Sequence, residues 1–159
     1  MVQAFLSLGS NIGDKLANLQ EAISLLKKHD QIDICQVSHV YETDPVGYEQ
    51  QAVFYNIVVE IDTILTPEKL LAFCLQTEKV LGRVHLFKWG PRLIDIDILL
   101  YQNVVRNEAT LKIPHPYMKE RAFVMIPLLE IAPNIAKKLV NTNVIKQTGV
   151  RKTQLELNW

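Results

Sequence analysis

Apolar and polar positions alternate along this chain in two distinct rhythms. Val2-Gln3-Ala4-Phe5-Leu6-Ser7-Leu8 is a short apolar run stopped by Gly9-Ser10-Asn11, and it reads as a first strand. From Asp14 to Lys28 the apolar residues Leu16, Leu19, Ile23 and Leu26 recur every three or four positions, the spacing of an amphipathic helix. Ile32, Ile34, Val37 and Val40 mark a second strand ending near Tyr41, and Thr43-Asp44-Pro45-Val46-Gly47 opens a polar loop. Val53 to Ile61, rich in β-branched and aromatic residues, reads as a third strand. Thr66-Pro67 is a helix start, with threonine at the cap and proline at the first helical position. That helix closes at Leu81-Gly82. A loop from Arg83 to Arg92 leads into a fourth strand over Leu93–Tyr101, and Arg121–Ile131 reads as a short helix despite Pro127. The tail after Pro133 has little pattern. The order β-α-β-β-α-β predicts an α/β (α+β) fold of the split βαβ, or ferredoxin-like, kind. That fold implies an antiparallel sheet with helices packed on one face and extra elements after the fourth strand. With no repeat, linker or low-complexity stretch, residues 1–159 read as a single domain.

Composition narrows the function classes. The chain is 48% hydrophobic and 21% charged, which argues against a disordered chain, a collagen-like repeat or a coiled coil. Its 17 basic and 17 acidic residues cancel, so nothing general favours nucleic acid or an anionic membrane as partner. The first residues lack a basic stretch and a long apolar core, and no apolar run approaches the ~18 residues of a membrane span. The expectation is a cytoplasmic protein, with Cys35 and Cys74 as reduced, buried small side chains rather than a disulfide.

The most informative stretch is Leu93-Ile94-Asp95-Ile96-Asp97-Ile98-Leu99-Leu100. On a strand, residues two apart share a face, so Asp95 and Asp97 point the same way about 6.6 Å apart. Ile94, Ile96, Ile98 and Leu100 are expected to fill the other face. An edge strand turning alternate polar residues to water accounts for such a pair on its own. The neighbourhood favours a metal: Arg83, His85, Lys88 and Arg92 precede the diacid closely in a chain of zero net charge. Two adjacent carboxylates repel, and a hard divalent cation such as Mg²⁺ relieves that repulsion while guanidinium groups grip a polyphosphate. Trp89, in the same loop, suits either a lid over ligand or an anchor to the core. Phe54 and Asn56 also share a strand face. Aromatic residues on strands mostly pack in the core, and the alternative for this pair is a flat heterocycle stacked on the ring and hydrogen-bonded by the amide. Gly9-Ser10-Asn11-Ile12-Gly13-Asp14-Lys15 has one residue too few for a Walker loop and reads as a turn plus helix cap. His29 and His39 look incidental, whereas His115, between Pro114 and Pro116, and Arg121 suit a phosphate.

Trp89-Gly90-Pro91-Arg92-Leu93-Ile94-Asp95-Ile96-Asp97-Ile98-Leu99 resembles the signature of the 6-hydroxymethyl-7,8-dihydropterin pyrophosphokinase family. Supporting blocks are Leu8–Asn11, Tyr41–Gly47, Phe54–Asn56, Leu81–Arg83, Ile113–Pro116 and Arg121–Val124, so the resemblance runs from Leu6 to about Ala132. It implies transfer of a pyrophosphoryl group from ATP to the pterin's hydroxymethyl oxygen, with release of AMP, in folate biosynthesis. By resemblance, Asp95 and Asp97 hold Mg²⁺. Phe54 and Phe123 sandwich the pterin, and Asn56, Thr43, Pro45 and Val46 hold its edge, with Trp89 closing over it. Glu78, Arg83, His85, Lys88, Arg92, Ile98, Lys112, His115 and Arg121 take ATP, with Arg83, Arg92, Asp95 and Asp97 as the catalytic set. The substrates implied are ATP and a hydroxymethyl dihydropterin, with the protein a monomer.

The chain departs from the family at His85 and Lys88, where arginine is usual, and neither offers a two-pronged phosphate contact. Leu86-Phe87 is apolar for a mobile lid, and the tail from Asn134 to Trp159 adds nothing usable to the resemblance. An alternative is a metal-dependent nucleotidyltransferase, but its acidic pair follows closely on a Gly-Ser turn, and here Asp95 lies far downstream of Ser10. An RNA-binding module of the same fold lacks support because strands one and three carry no paired aromatic motif.

Overall fold

A computed structural model describes residues 1–45, 50–82, 93–141, 145 and 149–159. Strand β1 spans Val2–Ser10 and helix α1 Lys15–Lys28, where Asp14 caps the helix by accepting from the Ala17 N–H at 3.1 Å. The expected second strand is broken into β2, Ile32–Val37, and β3, Tyr41–Thr43. Ser38 lies at the break. Its N–H donates to the Val58 carbonyl and its hydroxyl accepts from the Val58 N–H, both at 3.0 Å, so a side chain stands in for one rung of the ladder. Strand β4 spans Phe54–Thr63, and helix α2 spans Pro67–Val80, started by Thr66 and followed by Gly82 at φ +78°. Strand β5 is Asp95–Tyr101. Then come the short pair β6, Arg106–Asn107, and β7, Lys112–Ile113, and a 3-10 turn at Met118–Glu120. Helix α3 spans Ala122–Ile131, helix α4 Pro133–Leu139, and strand β8 Val150–Lys152.

The main sheet runs β5-β1-β4-β3-β8, with β2 also on β4, and each pairing is antiparallel. This is the ferredoxin-like arrangement. One face carries Ala4, Leu6, Leu8, Ile57, Val59, Ile61, Ile96 and Ile98 against Leu19, Ile23 and Leu26 of α1 and Leu70 and Cys74 of α2. Helices α1 and α2 thus share one face, as expected, and the elements after the fourth strand cover the other. On the opposite face Phe5, Val58 and Leu99 pack under Val124, Met125 and Leu128 of α3 and Ala136 of α4. Helix α3 is apolar nearly all round because it is sunk in this second core, and that burial carries it past Pro127, which cannot donate to the Phe123 carbonyl.

One detail of β5 also departs from strict alternation. Leu6 pairs with Ile98 and Phe5 with Leu100, so Leu99 is an extra residue and the strand bulges there. Leu100 therefore packs toward the Phe5 side rather than with Ile98. Tyr101 returns to the α1/α2 core, where its hydroxyl donates to the Leu65 carbonyl at 2.6 Å. Phe5 is 2% exposed and is the aromatic that β1 places under α3. Phe5→Ala is expected to cost about 3–5 kcal/mol of stability, read as a lowered urea midpoint at unchanged slope. A loss under about 1 kcal/mol would show that the second core is not needed to hold α3.

Candidate active site

The strand registers set the site. Asp95 pairs with Gly9, Gly9 with Asn56, and Asn56 with Tyr41, so four strands present one row across the sheet. The next row holds Asp97, Ser7 and Val58. Directly paired residues share a face, and both rows lie on the α3 side. With strands roughly 4.8 Å apart, Asp95 and Asn56 have backbones about 10 Å apart across Gly9.

Gly9 is glycine for a steric reason. A Cβ built there would meet Asn56 Oδ1 at 2.5 Å, with Phe54 Cδ1 at 3.8 Å. The Asn56 amide therefore lies over the bare backbone of β1. Its Nδ2 donates to Thr43 Oγ1 at 2.9 Å, which fixes the orientation of the amide within a buried pair. Phe54 sits one step along the same face, half-buried, paired with Thr43. Thr43, Phe54 and Asn56 are thus brought together, with Pro45 two residues beyond Thr43.

Asp95 and Asp97 alternate with buried Ile96 and Ile98 and are themselves half-buried. Between them the Ile96 N–H donates to Glu78 Oε2 at 2.8 Å. Glu78 is 3% exposed on α2, so a buried carboxylate pins the outer edge of β5 at the point where the diacid is displayed. Two carboxylates on adjacent outward positions supply hard oxygen donors of the number Mg²⁺ takes from a protein when phosphates complete its shell. Among the described residues no group of three or more histidine, cysteine, aspartate or glutamate side chains is placed to hold a metal ion.

A cavity of about 190 Å³ opens beside the diacid, lined by Asp97, Ile98, Lys112, His115, Leu71 and Leu111. His115 is tied down by its N–H to the Leu99 carbonyl at 2.9 Å, and its Nδ1 accepts from the Tyr117 N–H at 3.2 Å. Burial first, and then the charge of Arg121, hold the imidazole below its ordinary pKa, against a smaller opposite pull from Asp95. The neutral ring then carries its proton on Nε2. The Arg121 guanidinium carbon lies 5.6 Å from the ring centres of both Tyr117 and Phe123. On Cys74, burial raises the thiol pKa, with Glu78 and Asp97 adding to it, so this side chain is inert packing.

Val46, Arg83, His85, Lys88, Trp89 and Arg92 lie outside the described residues. Sequence reasoning passed over Asn11 and Lys15. Asn11 Nδ2 donates to Gln51 Oε1 and the Ala52 carbonyl, and Lys15 Nζ to the Val53 carbonyl, clamping the β1–α1 turn to the approach of β4. The capping pattern at Asp14 pointed to that turn, but its partners are some 40 residues away. His39 is not incidental. Its Nδ1 contacts Glu130 at 2.8 Å and its Nε2 contacts Glu156 at 2.9 Å, while the Tyr41 hydroxyl donates to Glu130 at 2.8 Å.

A ferredoxin-like sheet that sets a carboxylate pair beside an amide-and-ring slot defines a small-molecule site on an α/β scaffold. Its relatives are specific. The sequence profile described as 7,8-dihydro-6-hydroxymethylpterin-pyrophosphokinase (HPPK) matches residues 5–133, and the chain belongs to that family. It is 46% identical over 148 residues, covering 93% of this chain and 88% of the relative, to the Bacillus subtilis 2-amino-4-hydroxy-6-hydroxymethyldihydropteridine pyrophosphokinase. The protein of the same name from Aquifex aeolicus is 44% identical over 85% of this chain and 83% of its own. Among solved structures, Plasmodium falciparum HPPK-DHPS with pterin and p-hydroxybenzoate shares the fold with a TM-score of 0.69 at 18% identity. That match covers 95% of this chain and 46% of the longer one. The chain thus spans about half of that longer protein.

Two measurements check the site. Gly9→Ala is expected to displace the Asn56 amide and weaken pterin binding at least ~10-fold, since the lost amide contacts are to a buried polar edge; calorimetric titration with a hydroxymethylpterin reads it. For His115, a folded pKa below the unfolded value means the unfolded chain protonates first as pH falls. Stability from the neutral ring is full above about pH 6.5 and is lost on acidification below it. The His115→Gln variant is expected to flatten that acid limb of the urea midpoint against pH, and an unchanged limb would contradict the assignment.

Proposed function

We propose that the chain transfers the pyrophosphoryl group of ATP to the hydroxymethyl oxygen of 6-hydroxymethyl-7,8-dihydropterin, giving the pterin diphosphate and AMP, a step of folate biosynthesis. The observation that carries this is the row Asp95–Gly9–Asn56, which sets a heterocycle slot and a carboxylate pair at the separation a pterin bearing a hydroxymethyl arm would bridge. In this reading Asn56 and the backbone around Thr43, Pro45 and Val46 hold the pterin edge, and Phe54 and Phe123 cover its faces. The cavity along Ile98, Lys112 and His115 takes the nucleotide. Arg83, His85, Lys88, Arg92 and Arg121 answer the triphosphate charge, and Trp89 closes the site.

Asp95 and Asp97 would hold Mg²⁺. When bound, it offsets phosphate charge and makes the substrate hydroxyl more acidic. The protein's share is positioning. The hydroxymethyl oxygen attacks the β-phosphorus in line, the bond from that phosphorus to the α,β-bridging oxygen breaks, and AMP leaves with the bonding electrons. In this reading the hydroxyl proton passes to solvent. Glu78 acts at one remove by fixing the Ile96 amide and hence the direction of the two aspartates.

This reading takes residues 1–159 as one pyrophosphokinase domain working as a monomer in the cytoplasm. The apolar stripes of α1 and α2 are spent on the sheet, and no helix among the described residues is long and apolar enough to cross a membrane. Asp97→Ala is expected to cut turnover at least ~10²-fold, the scale of losing a main electrostatic group, with AMP release as the assay. Near-normal turnover, or pyrophosphate as the released product, would overturn the proposal; the latter is the mark of a nucleotidyltransferase.

A further inference from the structure

The C-terminal segment lies beyond residue 133, where the match to the family profile ends, yet it returns to the pterin side of the sheet. Strand β3 is three residues long, and it pairs through the same residues with β4 on one side and β8 on the other. Tyr41 faces Lys152, Glu42 faces Arg151 and Thr43 faces Val150. The pairing extends past the strand, where the Asp44 N–H donates to the Gly149 carbonyl at 2.8 Å. Gly149 has φ +80°, and a Cβ there would come within 3.3 Å of Asp44 Oδ2, so the turn into β8 is shaped against Asp44. Arg151 Nη2 donates to Asp44 Oδ1 at 2.9 Å and lies 3.8 Å from Glu42. At its other end the same segment is held down. The Val40 N–H donates to the Leu155 carbonyl and the Thr153 N–H to the Val40 carbonyl, both at 3.0 Å. Leu157 is buried in the α1/α2 core, and Asn158 exchanges two hydrogen bonds with Gln20.

Without β8, β3 would be a three-residue edge strand, and such a strand has little stability of its own. This one carries Thr43, whose hydroxyl orients Asn56, and leads directly into Pro45. We propose that β8, through the Arg151–Asp44 bridge and the Gly149–Asp44 turn, is a positioning brace that sets the affinity for the pterin and not for ATP. The inference rests on the pterin reading of Thr43 and Asn56. In this reading Arg151 and Asp44 act through the backbone of 43–45. Their geometry answers to the pterin edge, while the nucleotide cavity lies across the sheet at β5 and β7. Arg151 also holds the Asp44 carboxyl below its usual range by that hydrogen bond, so the bridge is formed throughout neutral pH.

Steady-state kinetics on the full chain tests this, with hydroxymethyl dihydropterin and ATP varied in turn. Arg151→Ala is expected to raise the KM for the pterin about two- to fivefold, the range of an exposed charge pair, and to leave that for ATP unchanged. The swap of Asp44→Arg with Arg151→Asp is expected to recover most of the loss that either single change causes. An equal rise in both KM values, or no recovery in the swap, makes the segment a general stabiliser and overturns the brace. Asn56→Ala, measured alongside, separates the two levels. If it raises the pterin KM while Arg151→Ala does not, the brace falls and the site reading stands. If Asn56→Ala leaves the pterin KM unchanged, the site reading falls and the brace with it.

Discussion

The functional face depends on the register of three antiparallel strands. Gly9 on β1 sits between Asp95 on β5 and Asn56 on β4. Because side chains alternate with a period of two, slipping either neighbour by one residue would turn its polar member into the α1/α2 core and bring an isoleucine out. The cost of such a slip is what fixes the site. Ile57, Val59, Ile96 and Ile98 are all buried against the helices, and each would lose on the order of 2 kcal/mol of burial if exposed. The core therefore specifies the position of the polar row.

What the core cannot fix is done by a few polar contacts. Glu78 holds the Ile96 amide at the sheet's outer edge, so the diacid is displayed from a pinned strand rather than a frayed one. Thr43 orients the Asn56 amide, and the absence of a side chain at Gly9 gives that amide room. On the far side Glu130 of α3 gathers His39 and Tyr41, tying the helix that carries Phe123 to the strand that carries Thr43. Carboxylates thus secure the site from both ends of the sheet, one through the Ile96 main-chain amide and one through the His39 main-chain amide together with the His39 and Tyr41 side chains.

Much of this was legible in the chain itself. Period-two alternation at 94–98 and 54–59 announced which residues share a face, and the Thr66-Pro67 start of α2 needed only local chemistry. The four main strands and the order of helices followed for the same reason. The bulge at Leu99 was not legible, because an extra residue in one strand is defined only against its partner, Phe5. Ser38 broke the second strand for a similar reason, since its hydroxyl finds Val58 only in the folded sheet. His39 seemed incidental because its partners Glu130 and Glu156 are remote in sequence. Strand β8 is too short to show a pattern, and it exists by pairing with β3. The cationic loop expected over 83–92 falls outside the described residues, so its part in the site stands on sequence alone.

A crystal structure with a non-hydrolysable ATP analogue, Mg²⁺ and the hydroxymethyl dihydropterin bears on the central claim most directly. The expected result is magnesium about 2.1 Å from oxygens of Asp95 and Asp97 and in contact with the phosphates, with the pterin edge on Asn56 across Gly9. Nucleotide and pterin seated away from that row, with both aspartates facing only solvent, would contradict it.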